Sequence, residues 1–147
     1  MQARDIMTKD PITAKPGATI REVAEILVEN KISGLPVVDE NGVMLGIVSE
    51  GDLMRKKIAP KAPEILSVLG ATIYYDGLKE YREAFRKLSA VTAQEIMTKD
   101  VISVQPEEDV SKVGQLMLDH HVKRVPVLNG RRLVGIISRS DMVKMLL

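Results

Sequence analysis

Two short runs in this chain set residue types at a spacing that can do chemistry. Gly46-Ile-Val-Ser49-x-x-Asp52 and Gly135-Ile-Ile-Ser138-x-x-Asp141 each follow an apolar stretch and open a helical one. A serine N-cap with an acid at N3 is a capping box and needs no ligand. The same geometry also suits a nucleotide. Free N–H groups at a helix start bind anions, and the serine hydroxyl adds a donor. The aspartate would accept hydrogen bonds from a ribose diol, and glycine permits close backbone approach. A second candidate is Lys123-Arg124, where the first half of the chain has Ser33-Gly34. A basic pair can clamp phosphate, with arginine offering a planar fork; a solvated basic loop is the plain alternative. His120-His121 has no partner at metal-ligand spacing, so no metal is expected. The sequence offers no nucleophile–base arrangement, no carboxylate pair placed for acid–base work and no Gly-rich phosphate loop. The expectation is a binding protein that requires no cofactor, not an enzyme.

These motifs are parts of a larger repeat. Asp5-Ile-Met-Thr-Lys-Asp10 returns as Glu95-Ile-Met-Thr-Lys-Asp100. Leu35-Pro-Val-Val38 returns as Val125-Pro-Val-Leu128, and the serine–aspartate motif closes both copies. A unit of about fifty residues buries too little surface to be comfortable alone. Two copies are expected to share a core and to close with approximate two-fold symmetry, giving every site a counterpart.

Each copy reads strand, helix, strand, strand, helix. Pro11–Pro16 is a brief strand bounded by prolines. Thr19 and Glu22 form a capping box, and Ile20, Val23, Ala24 and Leu27 follow at helical spacing. Leu35–Val38 and Val43–Val48 are strands around an Asp39-Glu-Asn-Gly42 turn, and Ser49 opens the second helix. In the second copy Val101–Val104 is the strand, Asp109 the N-cap, and Val110, Val113 and Met117 the helical stripe. Val125–Leu128 and Leu133–Ile137 are paired strands, and Ser138 opens the last helix. Between the copies, Pro60 and Pro63 break the preceding helix. Leu78, Tyr81, Phe85 and Leu88 then recur at helical spacing. All four Tyr and Phe residues of the chain lie in this joining segment. They suit a helix packed on the core, a contact between protomers, or both.

Composition sets outer bounds. The chain has 147 residues, a net charge of +1 and no cysteine. Disulfides and thiolate metal sites are therefore absent. Near-neutral charge argues against a nucleic-acid partner. No apolar run is long enough to span a membrane, and the first residues lack an apolar signal core. Cytoplasmic location is the expectation.

The twin order of Ile-Met-Thr, short strand, helix, h-Pro-Val and Gly-h-h-Ser-x-x-Asp resembles a tandem pair of CBS domains, also called a Bateman module. The resemblance implies an α+β fold of two pseudo-symmetric β-α-β-β-α units packed sheet to sheet, residues 1–58 and 94–147, joined by a helical segment, residues 59–93. It implies two clefts for adenosine-containing ligands such as AMP, ADP, ATP or S-adenosylmethionine. One cleft would join Ser138, Arg139 and Asp141 to Ile12, Thr13, Ile32, Ser33 and Pro36. The other would join Ser49 and Asp52 to Ile102, Ser103, Val122, Lys123, Arg124 and Pro126. Asp52 and Asp141 would hold ribose. Ser49, Ser138, Lys123, Arg124 and Arg139 would face phosphate. Ile12, Ile32, Ile102 and Val122 would sandwich adenine. Glu50 stands where the second copy has Arg139, so the clefts are expected to be unequal. The resemblance further implies a homodimer, and a ligand sensor whose state is read by an effector protein in trans. A structural dimerisation module with unoccupied clefts is the alternative.

Overall fold

The structure is a computed structural model, and it describes residues 1–57, 64–68, 71–76, 82 and 90–147. The first copy contains α1 (Ala3–Ile6), β1 (Thr8–Lys9), α2 (Ile20–Glu29), β2 (Gly34–Val38), β3 (Met44–Ser49) and α3 (Glu50–Lys57). A hairpin, β4 (Glu64–Val68) and β5 (Ala71–Asp76), lies in the joining segment. The second copy contains α4 (Ala93–Ile96), α5 (Val110–Asp119), β6 (Arg124–Asn129), β7 (Arg132–Ser138) and α6 (Arg139–Lys144). The helix expected around Leu78, Tyr81, Phe85 and Leu88 lies outside the described residues. The hairpin before it was not expected from the apolar spacing, and it puts Tyr74 and Tyr75 on a strand.

The two long helices start where side-chain caps stand. Thr19 Oγ1 accepts from Glu22 N at 3.1 Å and starts α2. Asp109 Oδ1 accepts from Ser111 N at 2.8 Å and starts α5. Hydrogen bonds from the Ser111 side chain and backbone hold the Asp109 carboxyl below its ordinary value. The apolar stripes are buried as their spacing requires: Val23 and Leu27 on α2, and Val110, Val113 and Met117 on α5.

The hairpins β2–β3 and β6–β7 are antiparallel and equivalent in register, with Pro36 opposite Ile47 and Pro126 opposite Ile136. The strands expected at Pro11–Pro16 and Val101–Val104 shrink to single parallel bridges, Ala14 to Val37 and Val104 to Val127. Proline is the cause. Ala14 N donates to Pro36 O at 3.0 Å and Val38 N donates to Ala14 O at 3.0 Å. The next rung, towards Ile12, would need an N–H that Pro36 does not have. Pro126 ends the Val104 ladder in the same way. The chain around Ile12 and Ile102 thereby leaves the sheet.

The single shared core expected from the repeat is instead two clusters, each completed by a segment from ahead of the other copy. Val23, Leu27, Leu35, Val37 and Val48 pack with Ala93, Ile96 and Met97. Val113, Met117, Val125, Val127 and Ile137 pack with Ala3, flanked by Ile6 and Met7. The backbone follows the same exchange: β1 pairs with β7, and Thr98 bridges Ile47. Gly46 and Gly135 make this possible. A Cβ at Gly46 would lie 2.6 Å from Thr98 O, and one at Gly135 would lie 2.7 Å from Met7 Cγ. The close approach these glycines permit is therefore made by the chain itself.

Candidate functional site

Each crossing of exchanged segments leaves a cleft beside a serine–aspartate motif. In the first, Ser49 N donates to Asp52 Oδ2 at 2.9 Å, and Asp52 N donates to Ser49 Oγ at 3.4 Å. Asp52 is only 3% exposed. Its Oδ1 accepts from Thr98 Oγ1 and from Arg55 Nη1, each at 3.4 Å. In the second motif Ser138 N donates to Asp141 Oδ2 at 2.8 Å, and Asp141 N donates to Ser138 Oγ at 3.3 Å. Both motifs are complete capping boxes, so the helix start is fixed before any ligand arrives. They differ in reserve: Asp141 is half-buried, and its Oδ1 has no hydrogen-bond partner among the described residues.

The Asp52 cleft has a volume of about 460 Å³ and joins Ser49 and Asp52 to Ile102, Val122, Lys123 and Arg124. The Asp141 cleft has about 470 Å³ and joins Ser138 and Asp141 to Ile12, Ile32, Ser33 and Pro36. Both sizes fall within the range of small-molecule sites. Four of the residues grouped by the sequence do not line their expected clefts. Thr13 and Ser103 lie beside the bridging residues Ala14 and Val104. Pro126 is buried in β6. Arg139 is exposed and turns its Nε to Val122 O at 3.1 Å. Val122 lies in the loop before β6, and Arg139 N also donates to Lys123 O there at 3.1 Å, so this helix start is held against that loop.

Other lining residues come in matched pairs that the motifs alone did not single out. Thr98 and Asp100 line the Asp52 cleft, as Thr8 and Asp10 line the Asp141 cleft. They belong to the repeated Ile-Met-Thr-Lys-Asp run, so the repeat itself carried the signal. His121 and Lys31 form another pair, both at positive φ (53° each), one in each cleft. That conformation ends the preceding helix and turns the chain into the pre-proline loop.

Arg124 has the most particular setting. Its guanidinium donates to Ser33 Oγ across the two copies. It occupies the space where any side chain at residue 34 would begin, 2.6 Å from Cζ to a Cβ built on Gly34. Burial lowers its pKa from the ordinary value, while Glu50 and Asp52 oppose that shift. Ser33, Lys123 and Arg124 each line both clefts. Among the described residues no group of acidic or histidine side chains is arranged to hold a metal. No helix among them is long and apolar enough to cross a membrane.

Fold and clefts together define a paired, two-cleft domain of the kind the sequence resembles. The CBS-domain model matches residues 3–58 and 93–147, and the chain belongs to the CBS-domain family. It is similar to the uncharacterised protein MJ1426 of Methanocaldococcus jannaschii, at 27% identity over all of this chain and 92% of that protein. Several longer relatives are matched over only 22–23% of their own length. Among solved structures, the CBS-domain pair of protein MJ0100, in complex with 5′-methylthioadenosine and S-adenosyl-L-methionine, superposes with a TM-score of 0.71. It is 29% identical, covering 99% of this chain and 95% of that one. CBSX2 in complex with AMP superposes with a TM-score of 0.76 at 24% identity over 99% and 95% of the two chains, a likeness of fold.

Proposed function

We propose that this chain is a regulatory module that binds adenosine-containing ligands in its two clefts and passes their presence to a partner protein. The observation that carries this reading is the composition of each cleft. A serine–aspartate helix start from one copy faces an aliphatic loop from the other, Ile102 and Val122 in one case and Ile12 and Ile32 in the other. Aliphatic walls suit a purine face, and a carboxylate suits a ribose diol. The related MJ0100 pair, with its two adenosine compounds, supports the same class of ligand. Asp141 and Asp52 would take the ribose, and Ser49, Ser138, Lys123 and Arg124 any phosphate. A homodimer acting on an effector in the cytoplasm completes the proposal.

A second reading rests on the capping boxes. Both serine–aspartate pairs satisfy each other internally, as they would in a structural module with unoccupied clefts. Thermal unfolding against AMP, ADP, ATP, S-adenosylmethionine and 5′-methylthioadenosine, with GMP as control, separates the two. A ligand at a hundred times its Kd adds about 2.7 kcal/mol. A selective rise with an adenine compound supports sensing. No shift at millimolar concentration leaves the structural module.

A further inference from the structure

The two clefts are not electrically alike, and they are not independent. Glu50, Asp52 and Asp100 line the first, while Asp10 and Asp141 line the second together with Lys31. Between them stand Lys123 and Arg124, which line both. Arg124 is half-buried on Ser33, and Gly34 leaves it the room to sit there. The first copy has Ser33-Gly34 at the matching positions, so no second pair of cations mirrors this one.

We propose that Lys123 and Arg124 are a single cationic point shared by the two clefts, so that a phosphate-bearing ligand in one disfavours a phosphate-bearing ligand in the other. This rests on the adenosine-ligand reading above. A phosphate engages arginine through its planar fork, and one guanidinium cannot face two clefts with the same fork. The Asp141 cleft fills first, because it adds Lys31 and has fewer acids. Drawing Arg124 to that phosphate takes a positive charge from Glu50 and Asp52. The Asp52 cleft then repels a second phosphate and accepts an uncharged or cationic nucleoside instead. Such a chain reads a ratio of ligands, not the amount of one.

Calorimetric titration of the full chain with AMP, and separately with uncharged 5′-methylthioadenosine, tests this. The expected result is two AMP steps separated by about tenfold or more, a usual size for coupling between sites. The two 5′-methylthioadenosine steps should be closer together. The AMP gap should shrink in Arg124→Gln, persist in Arg124→Lys, and narrow with added salt in the wild type. Two equal AMP sites would overturn the proposal, as would the same gap for the uncharged compound. So would a gap that survives in folded Arg124→Gln. If that variant does not fold, the wild-type comparison of the two ligands and its salt dependence still decide. Binding of neither ligand would remove the adenosine reading itself, and this inference with it.

Discussion

At the scale of residues, the two aspartates look identical in sequence and are not identical in place. Asp52 is buried, and both its oxygens are engaged, one by the Ser49 cap and one by Thr98 and Arg55. Removing a buried acceptor strands its donors, at about 1–3 kcal/mol. Asp141 is only a half-buried cap. Losing a cap costs about 0.5–2 kcal/mol. Asp52→Ala should therefore lower the denaturant midpoint more than Asp141→Ala. If ribose binds as proposed, the order for ligand should reverse, because Asp141 Oδ1 has no hydrogen-bond partner among the described residues. Equal midpoints in the two variants would show that burial at Asp52 contributes little. The capping pairs were legible because serine and aspartate are three residues apart on one helix turn. The Thr98 contact was not, because it joins residues 46 apart in sequence. The same limit hid the placing of Arg139, whose side chain was taken by a loop carbonyl of another element.

At the scale of elements, the glycines of the repeated motif show how one pattern can carry two reasons. Glycine before Ser-x-x-Asp suggests room for a ligand. In the fold that room is filled by the Ile-Met-Thr segment of the other copy. The two positions are not equally strict. At Gly46 the obstacle to a Cβ is the Thr98 carbonyl, backbone that is held at both faces by the Ile47 bridge. At Gly135 the obstacle is the Met7 side chain, Cγ at 2.7 Å and Cβ at 3.0 Å, so relief needs a new Met7 rotamer but no movement of a paired backbone carbonyl. Gly46→Ala should cost about 1–3 kcal/mol, the usual range for overpacking, and Gly135→Ala distinctly less. Thermal unfolding of the pair measures the difference; the opposite order would mean that the Thr98 segment yields more easily than methionine. The helices and the paired strands could be read from caps, spacing and turn residues. The short first strands could not, because a β-branched run bounded by prolines cannot report that a proline in the neighbouring strand has no N–H to give.

At the scale of the molecule, the repeat announced two copies but not which segment covers which sheet. Asp5-Ile-Met-Thr and Glu95-Ile-Met-Thr are nearly the same, so either could pack on its own copy or on the other without changing the sequence pattern. The fold chooses exchange, and exchange puts the halves of each cleft on different copies. It also makes the first residues structural. Ala3 N donates to Glu108 O at 2.8 Å, Val110 N donates to Met1 O at 3.0 Å, and β1 supplies the edge of β7. A chain lacking residues 1–9 should therefore loosen the second core, not the first. Amide hydrogen exchange should accelerate in β7 and at the start of α5, both of which lose partners. The β2–β3 hairpin, covered by Ala93, Ile96 and Met97, should hold its protection longer. If β7 exchanges no faster in the shortened chain, the first segment is an ornament on the second copy. If β2–β3 is lost at the same rate as β7, the two cores unfold as one body, and a ligand in either cleft would stabilise both.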